Sequence, residues 1–265
     1  SYHPKWVPGL FFGINRSVQM YQQTAIDNNA YLPVFGTLMR NGDEDIGTDG
    51  QISASIRYVM QEANAEFYFD FGKNDATTNA RVLLMMPQDS RAYLFGATKM
   101  INLSSNDKLI ELNFEVTKIS QTINRVLRNA GSWYVHGLVH QGFTQLGEVL
   151  GATVGPGGDQ QDFNIKIIDG QTSFKYGLNM RRVVHNNDFL YAAYRDLDQL
   201  KRYWTDLSIG LEAGGFYKRF ILEGQLTYIY SLNYQWELLN ESKGPLTQGN
   251  NQTNIFLGIK TAYQF

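Results

Sequence analysis

The stretch NIFLGIKTAYQF, residues 254–265, carries apolar side chains at alternate positions: Ile255, Leu257, Ile259, Tyr263 and Phe265. Because successive side chains of a β-strand point to opposite faces, this period of two predicts a half-buried strand. The same alternation recurs in segments 9–19, 52–58, 65–71, 108–119, 174–181, 207–213 and 220–230. We therefore predict a single all-β domain of about 10–12 strands that spans residues 1–265.

The length of the predicted strands favours a membrane protein over a water-soluble one. They run for about 10–13 residues, whereas strands of globular proteins usually have about 5–6 and bilayer-crossing strands about 9–11. Phe220 and Tyr230 are ten residues apart, which is roughly 33 Å along a strand, or about 25 Å of height at a tilt near 40°. The pattern predicts an antiparallel transmembrane β-barrel of the outer-membrane type. A soluble all-β sandwich or barrel is the alternative.

Aromatic residues and loop lengths agree with a barrel in a bacterial outer membrane. Rings occur near both predicted rims, with Phe216, Tyr217, Phe220, Tyr263 and Phe265 at one and Tyr234 and Trp236 toward the other. Such girdles are typical of membrane interfaces. A tight turn is predicted at residues 217–218 and a long loop at 236–251. Short periplasmic turns and long outer loops are the usual arrangement in these barrels.

The composition excludes several classes of protein. A net charge of −2 provides no basic field for nucleic acid, so we expect no nucleic-acid partner. The absence of cysteine removes disulfides, thiol nucleophiles and Cys-ligated zinc. Mean hydropathy is −0.32, and no apolar run approaches the roughly 20 residues that a membrane-spanning helix needs.

The longest interruption of the strand pattern lies between residues 119 and 163. It contains GLVHQGFTQLGEVLGATVGPGGD, residues 137–159, and its glycine content excludes a transmembrane strand. Rings stack on sugar faces, while amide and carboxylate groups bond to hydroxyls. We therefore predict polysaccharide contacts here, by stacking for Trp133 and by hydrogen bonds for His136, His140, Gln141 and Glu148. The alternative is a loop that folds into the lumen and plugs it.

Two further segments leave alternatives open. Arg181 falls on the polar parity of its strand and could meet an acidic polysaccharide, although a structural ion pair in the lumen serves equally well. Residues 185–188 form a turn whose side depends on the next element of the chain. A strand at 189–195 would place the turn on the periplasmic side, whereas a helix at 195–204 would move it outward.

No motif predicts catalysis or a cofactor. His136 and His140 are four residues apart, but no glutamate follows His136 as a zinc-protease helix requires. With Glu148 as a third ligand the residue types would suit a metal ion, but their spacing matches no metal-binding motif. A hydrolase would need a nucleophile near His136, His140 or His185, and the spacing nominates none. We predict no metal, no cofactor, no catalytic residue and no enzymatic activity.

Three runs carry a resemblance to a known family. The segments HGLVHQGFTQLGEVLGATVGPGGD (136–159), YHPKWVPGLFFGINRS (2–17) and RRVVHNNDF (181–189) resemble the Wzi family of outer-membrane capsule-assembly proteins. The resemblance implies a lectin-like barrel that attaches capsular polysaccharide at the cell surface, with the lipid bilayer and lipopolysaccharide around it. Members of that family are longer and have more strands, so we expect N-terminal strands and any periplasmic helical segment to precede this sequence, which would then be the C-terminal part of a larger barrel.

The main prediction is therefore a non-enzymatic outer-membrane lectin for capsular or other surface polysaccharide. The alternative function is an outer-membrane porin or transport channel. A channel requires a continuous wet lumen, whereas a lectin is compatible with a plugged one.

Overall fold

The computed structural model describes residues 1–27, 47–74, 85, 87–88, 90–103, 107–121, 131–170, 172–193, 202–237 and 250–264. The structure is all-β: of the residues that it describes, 61% lie in strands and 8% in helices. The predicted all-β class is confirmed at this level. Phe265 and part of the predicted 195–204 helix lie outside the described residues.

The described elements are ten long strands, one short hairpin and three short helices. The long strands are β1 (Leu10–Met20), β2 (Thr48–Met60), β3 (Ala65–Asn74), β4 (Arg91–Leu103), β5 (Lys108–Lys118), β8 (Asp159–Asp169), β9 (Lys175–Val184), β10 (Thr205–Tyr217), β11 (Phe220–Leu232) and β12 (Gln252–Tyr263). The hairpin is β6 (Thr144–Gln145) and β7 (Glu148–Val149). The helices are α1 (Gln22–Asp27), α2 (Asn187–Ala193) and a 3₁₀ turn (Tyr234–Trp236).

The long strands form one antiparallel sheet in the order β1-β2-β3-β4-β5-β8-β9-β10-β11-β12. Each strand pairs with its neighbour in sequence, apart from the β6–β7 hairpin, which forms a sheet of its own. β1 and β12 lie at the two ends of the order. Neither β4 nor β8 is among the segments predicted as strands from the sequence, although β8 alternates in the same way as the other strands.

The register places apolar side chains on one face of the sheet, which we call the apolar face. Directly paired residues point to the same side, and one row across six strands consists of Leu112, Ile165, Leu178, Leu211, Leu226 and Leu257. The face is uncovered: Leu211 is 59% exposed and Ile259 76% exposed. Within the described ranges, extensive contacts of the long strands run only between neighbours in the sheet.

The opposite parity carries the polar side chains and defines the polar face. One row of it is a hydrogen-bonded ladder. Asn113 Nδ2 donates to Thr98 Oγ1 at 3.1 Å, Asn164 Nδ2 donates to Asn113 Oδ1 at 3.1 Å, and Asn179 Nδ2 donates to Asn164 Oδ1. The ladder joins β4, β5, β8 and β9 side by side, so these polar groups have partners within the face.

The two ends of the sheet differ in their connections. The strand ends joined by short connections (61–64, 104–107, 170–174 and 218–219) lie at one end, which we call the short-turn end. The strand ends joined by long connections (21–47, 75–90, 119–158, 185–204 and 233–251) lie at the other, the long-loop end. The tight turn predicted between β10 and β11 is confirmed at residues 218–219. Most of the predicted loop 236–251 lies outside the described residues, between the end of β11 and the start of β12. No helix in the described ranges is long and apolar enough to cross a membrane.

Candidate functional site

We call the connection between β5 and β8 the covering loop. Its described residues 131–158 pack against the polar face of β1–β5, a region that we call the covered half. Trp133 is 6% exposed. A Cβ built at Gly72 would lie 2.6 Å from Cη2 of Trp133, so glycine leaves the space that the indole occupies. The indole Nε1–H donates to the carbonyl of Ser90 at 3.1 Å, and Asn74 Nδ2 donates to the carbonyl of Ser132 at 3.1 Å. The loop is thus anchored to β3 and to the start of β4.

A small apolar core holds this loop together. Trp133 and Tyr134 pack with Ile119 and with the half-buried Phe143. The hydroxyl of Tyr134 accepts the backbone N–H of Ala152 at 3.0 Å, and burial raises the pKa of Tyr134. A cavity of about 490 Å³ remains between the loop and the strands. The loop thus packs on the polar side of the sheet, whereas the alternative of a loop that plugs a lumen stays a prediction.

The predicted sugar contacts on this loop are in different environments. Trp133 has no open ring face, because it is buried. His136 Nδ1 accepts the backbone N–H groups of Leu138 and Val139, at 3.2 and 3.1 Å, which closes a tight turn. His140, Gln141 and Glu148 are exposed, with Gln141 bonded to the carbonyl of Thr144 and Glu148 on β7. The described side chains include no group of three or more His, Asp or Glu placed to hold a metal ion.

Arg181 lies on β9, away from that loop, and it forms a structural ion pair. Its Nε contacts the carboxylate of Asp162, which is 5% exposed. Asp162 also accepts a hydrogen bond from Gln160 Nε2. A structural ion pair of Arg181 is therefore present on the polar face, while its contact with an acidic polysaccharide stays a prediction. The structure therefore does not join Arg181 to the loop residues in one site.

Residues 185–188 lie at the long-loop end. Residues 187–193 form helix α2 instead of the strand that would have moved this turn to the other end. Two hydrogen bonds tie the segment to the covering loop: Gln121 N–H donates to Asp188 Oδ1 at 2.8 Å, and Asn187 N–H donates to the carbonyl of Gly157 at 2.7 Å. The two longest connections near the middle of the sheet therefore support each other.

An aromatic cluster stands at the long-loop end of β9–β11, and we call it the rim cluster: His185, Phe189, Trp204, Tyr234 and Trp236. The rings of His185 and Trp204 stack with centroids 3.9 Å apart. Trp204 meets Tyr234 and Trp236 edge to face, at 5.1 and 5.2 Å, and Phe189 lies 4.7 Å from Trp236. Such contacts favour a rigid group of rings.

Asp206 connects the rim cluster to the polar face. Its carboxylate contacts His185 Nε2 at 2.7 Å and accepts the Trp204 Nε1–H at 2.9 Å. Trp236 Nε1–H donates to the carbonyl of His185 at 3.3 Å. Asp206 holds the cluster in place and at the same time lines the cavities below it.

Two cavities on the polar face of β8–β12 share Asp206 and Ile229, and we call them together the polar groove. Each has a volume of about 490 Å³. The upper cavity reaches Tyr234 and Asn250 at the long-loop end, and the lower one extends to Lys166 and Glu212. This region is the open half of the polar face, in contrast to the covered half.

The groove combines one ring with many neutral polar groups. Phe256, on the polar face of β12, is 50% exposed. It stands beside Asn254 along the strand and opposite Thr227 on β11. Asn179, Gln225 and Ser208 also line the groove. A ring surrounded by amides and hydroxyls can stack on an apolar ligand face and bond to hydroxyls in both senses.

Tyr234 and Trp236 were placed near one rim from the sequence, but neither their grouping with His185, Phe189 and Trp204 nor the position of Phe256 in a groove was predicted. The signal for Phe256 was available, because an aromatic residue stands there on the polar parity of an otherwise regular strand. His185, Trp204 and Trp236 are far apart in the chain and adjacent only because β9, β10 and β11 are neighbours. Such a grouping depends on strand pairing, and local spacing does not reveal it.

No protein-family model, no curated protein and no solved structure matches the chain. The resemblance to the Wzi family therefore rests on the three quoted runs alone. Two of those runs lie at notable positions of this fold, since 136–159 is part of the covering loop and 181–189 leads into the rim cluster.

Proposed function

We propose that this chain belongs to an outer-membrane β-barrel that binds capsular or other surface polysaccharide at the bacterial cell surface, without catalysing a reaction. The observation that carries the proposal is the division of one long-stranded sheet into an uncovered apolar face and a polar face with every long connection at one end. Lipid is the solvent that suits the first face, and water is the solvent that suits the second.

The strand dimensions support the membrane part of the proposal. The sheet strands have 10–13 residues, which at about 3.3 Å per residue are long enough to cross a hydrocarbon core of about 30 Å when tilted. A soluble protein would bury so large an apolar surface. In this proposal the long-loop end faces the exterior, and the two edge strands β1 and β12 complete a barrel with each other or with strands of a longer chain.

The polar face supports the binding part. The rim cluster and the polar groove present rings next to amide and hydroxyl groups at the proposed outer side, which is the chemistry of sugar recognition. The covering loop occupies the other half of the polar face, which suits a binding protein better than a wide channel. The resemblance to the Wzi family points in the same direction.

Two measurements on the protein reconstituted into lipid vesicles test the proposal. We expect it to retain surface polysaccharide purified from its own cells and to give little ohmic conductance in planar bilayers. Retention should decrease when the rim cluster is disrupted by Trp204→Ala, with Trp6→Ala as the control because Trp6 is exposed and remote in sequence from the cluster. Large conductance steps without polysaccharide retention would support a porin instead.

A further inference from the structure

We infer that the polar groove binds an uncharged segment of polysaccharide with Phe256 as its stacking ring, an inference that rests on the proposed function and names its ligand. The groove differs from the predicted loop site in place and in residues. The ligand differs as well, because the contact predicted for Arg181 required an acidic polysaccharide.

Phe256 supplies the ring. It is half exposed on the polar face, where it has no apolar core to join. A Cβ built at Gly258 would lie 3.1 Å from Cε1 of Phe256, so the ring extends over the backbone of its own strand toward the short-turn end. A flat ring held in this way within a wet groove is a surface on which the apolar face of a pyranose can stack.

Two amide side chains beside the ring supply hydrogen bonds. Gln225 Nε2 donates to Thr227 Oγ1 at 3.2 Å, and Asn254 Oδ1 accepts the N–H of Ile255 at 2.8 Å. Within the described part of the chain, Gln225 Oε1 and Asn254 Nδ2 have no hydrogen-bond partner. One acceptor and one amino donor therefore face the groove near the ring, which matches the dual character of sugar hydroxyls.

The charges of the groove favour a neutral ligand. The groove is lined by two basic residues, Lys166 and Arg181, and two acidic residues, Asp206 and Glu212. Both basic side chains form ion pairs: Lys166 lies 3.3 Å from Glu212, and Arg181 pairs with Asp162. Arg181 contacts Asp162 through Nε, so a carboxylate that is 5% exposed already balances its positive charge. With each of the two cations paired to an anion, the groove offers no excess positive charge to an acidic sugar, and an uncharged segment fits better.

The length of the groove suits a chain of sugars. On β11, Ser231 lines the upper cavity and Gln225 the lower one, six residues apart, which is roughly 20 Å along the strand. The upper cavity opens beside Tyr234 of the rim cluster. A glycan chain can therefore enter at the long-loop end and lie along the strands as an extended segment rather than as a single sugar.

The test compares oligosaccharide binding by the purified full protein in detergent micelles at low and high salt. The probes are neutral dextran fragments and oligosaccharides released from neutral bacterial capsules, against hyaluronan fragments and oligosaccharides from uronate-containing capsules. We expect binding of neutral probes with almost no salt dependence. Phe256→Leu should weaken it about tenfold. Phe114→Leu is the matched control on the apolar face and should leave it unchanged.

The other outcomes separate this inference from the proposed function. Preference for the acidic probes, with binding that weakens strongly as salt rises, would overturn the inference and leave the proposed function intact. Full binding by both Phe256→Leu and the milder Gln225→Ala would place the ligand elsewhere and also overturn it. Absence of binding to every probe and to the native polysaccharide would contradict the proposed function itself. Thermal unfolding checks that the variants are folded.

Discussion

The covered and open halves of the polar face belong to the same sheet but differ in how their aromatic side chains are packed. Trp133 in the covered half is 6% exposed, and Phe256 in the open half is 50% exposed. In the first half, a long connection supplies an apolar core to a polar surface. In the second, ion pairs and amide contacts line a groove in which Phe256 is exposed, while Thr227 and Ser231 are buried at 8% and 7%. Because the strands of both halves carry similar polar residues, it is the connection that determines which half is covered.

Covering also determines where a ligand can bind. Polar side chains of the covered half are largely buried near the long-loop end, as Gln51, Asn74 and Thr117 show with exposures of 7%, 3% and 6%. The open half keeps Asn254 and Phe256 accessible. The glycine-rich loop is therefore mainly a structural cover, and the binding surface that we propose is the part of the face that it does not reach.

The largest predicted difference between the halves is in the stability that each loses when one aromatic ring is removed. Trp133→Ala should lower the free energy of unfolding by about 3–5 kcal/mol, because it removes a buried indole together with its packing on Gly72. Phe256→Ala should change it by less than about 1 kcal/mol, because the ring is half exposed. Urea titrations in lipid vesicles, followed by far-UV circular dichroism, measure both. Similar losses for the two variants would mean that the halves do not differ in packing.

An effect of intermediate size tests whether both halves share one lipid-facing surface. Phe69→Arg behind the covered half and Leu226→Arg behind the open half should each lower the free energy of unfolding in vesicles by about 2–4 kcal/mol, the cost of a cation at mid-bilayer depth. Gln225→Arg is the matched control, one residue from Leu226 and on the opposite face. An equal effect of Gln225→Arg and Leu226→Arg would contradict the assignment of the faces.

The smallest predicted effect is the loss of stability when one glycine in each half of the polar face is replaced by alanine. A Cβ at Gly96 would lie 2.1 Å from Cζ of Tyr68, whose hydroxyl donates to Glu115 at 2.8 Å. A Cβ at Gly177 would lie 2.4 Å from Cγ of Glu212. We expect Gly96→Ala to cost about 1–3 kcal/mol by displacing a rigid ring. Gly177→Ala should cost less than about 1 kcal/mol, since a flexible side chain in a partly exposed ion pair moves aside.

The thermal midpoints of the two glycine variants measure this difference. The melting temperature of Gly96→Ala should be clearly lower than that of Gly177→Ala under the same detergent conditions. If Gly177→Ala were the more damaging variant, the open half would be as tightly packed as the covered half, and the polar groove would not be available to a ligand.

Much of the sheet could be predicted from the sequence because alternation is a local property. In 220–230 and 255–265, side chains two apart fall on the same face whatever the rest of the chain does. The long strands, the tight turn at Lys218 and the long loop after Trp236 follow from those patterns. β4 was not predicted because its alternation is broken: Lys99 lies on the apolar parity, and Leu94 and Met100 lie on the polar parity.

The amino-acid order fixes the two faces of the sheet, the lengths of its strands and the alternation of short and long connections. The folded arrangement adds that Trp133 turns inward against Gly72, and that Arg181 is committed to Asp162. It also brings the rings of the rim cluster together at the long-loop end. The physical reason is the range of the interactions. A strand's parity is set within a few residues, whereas a site made from several strands and loops exists only once the register brings distant residues together.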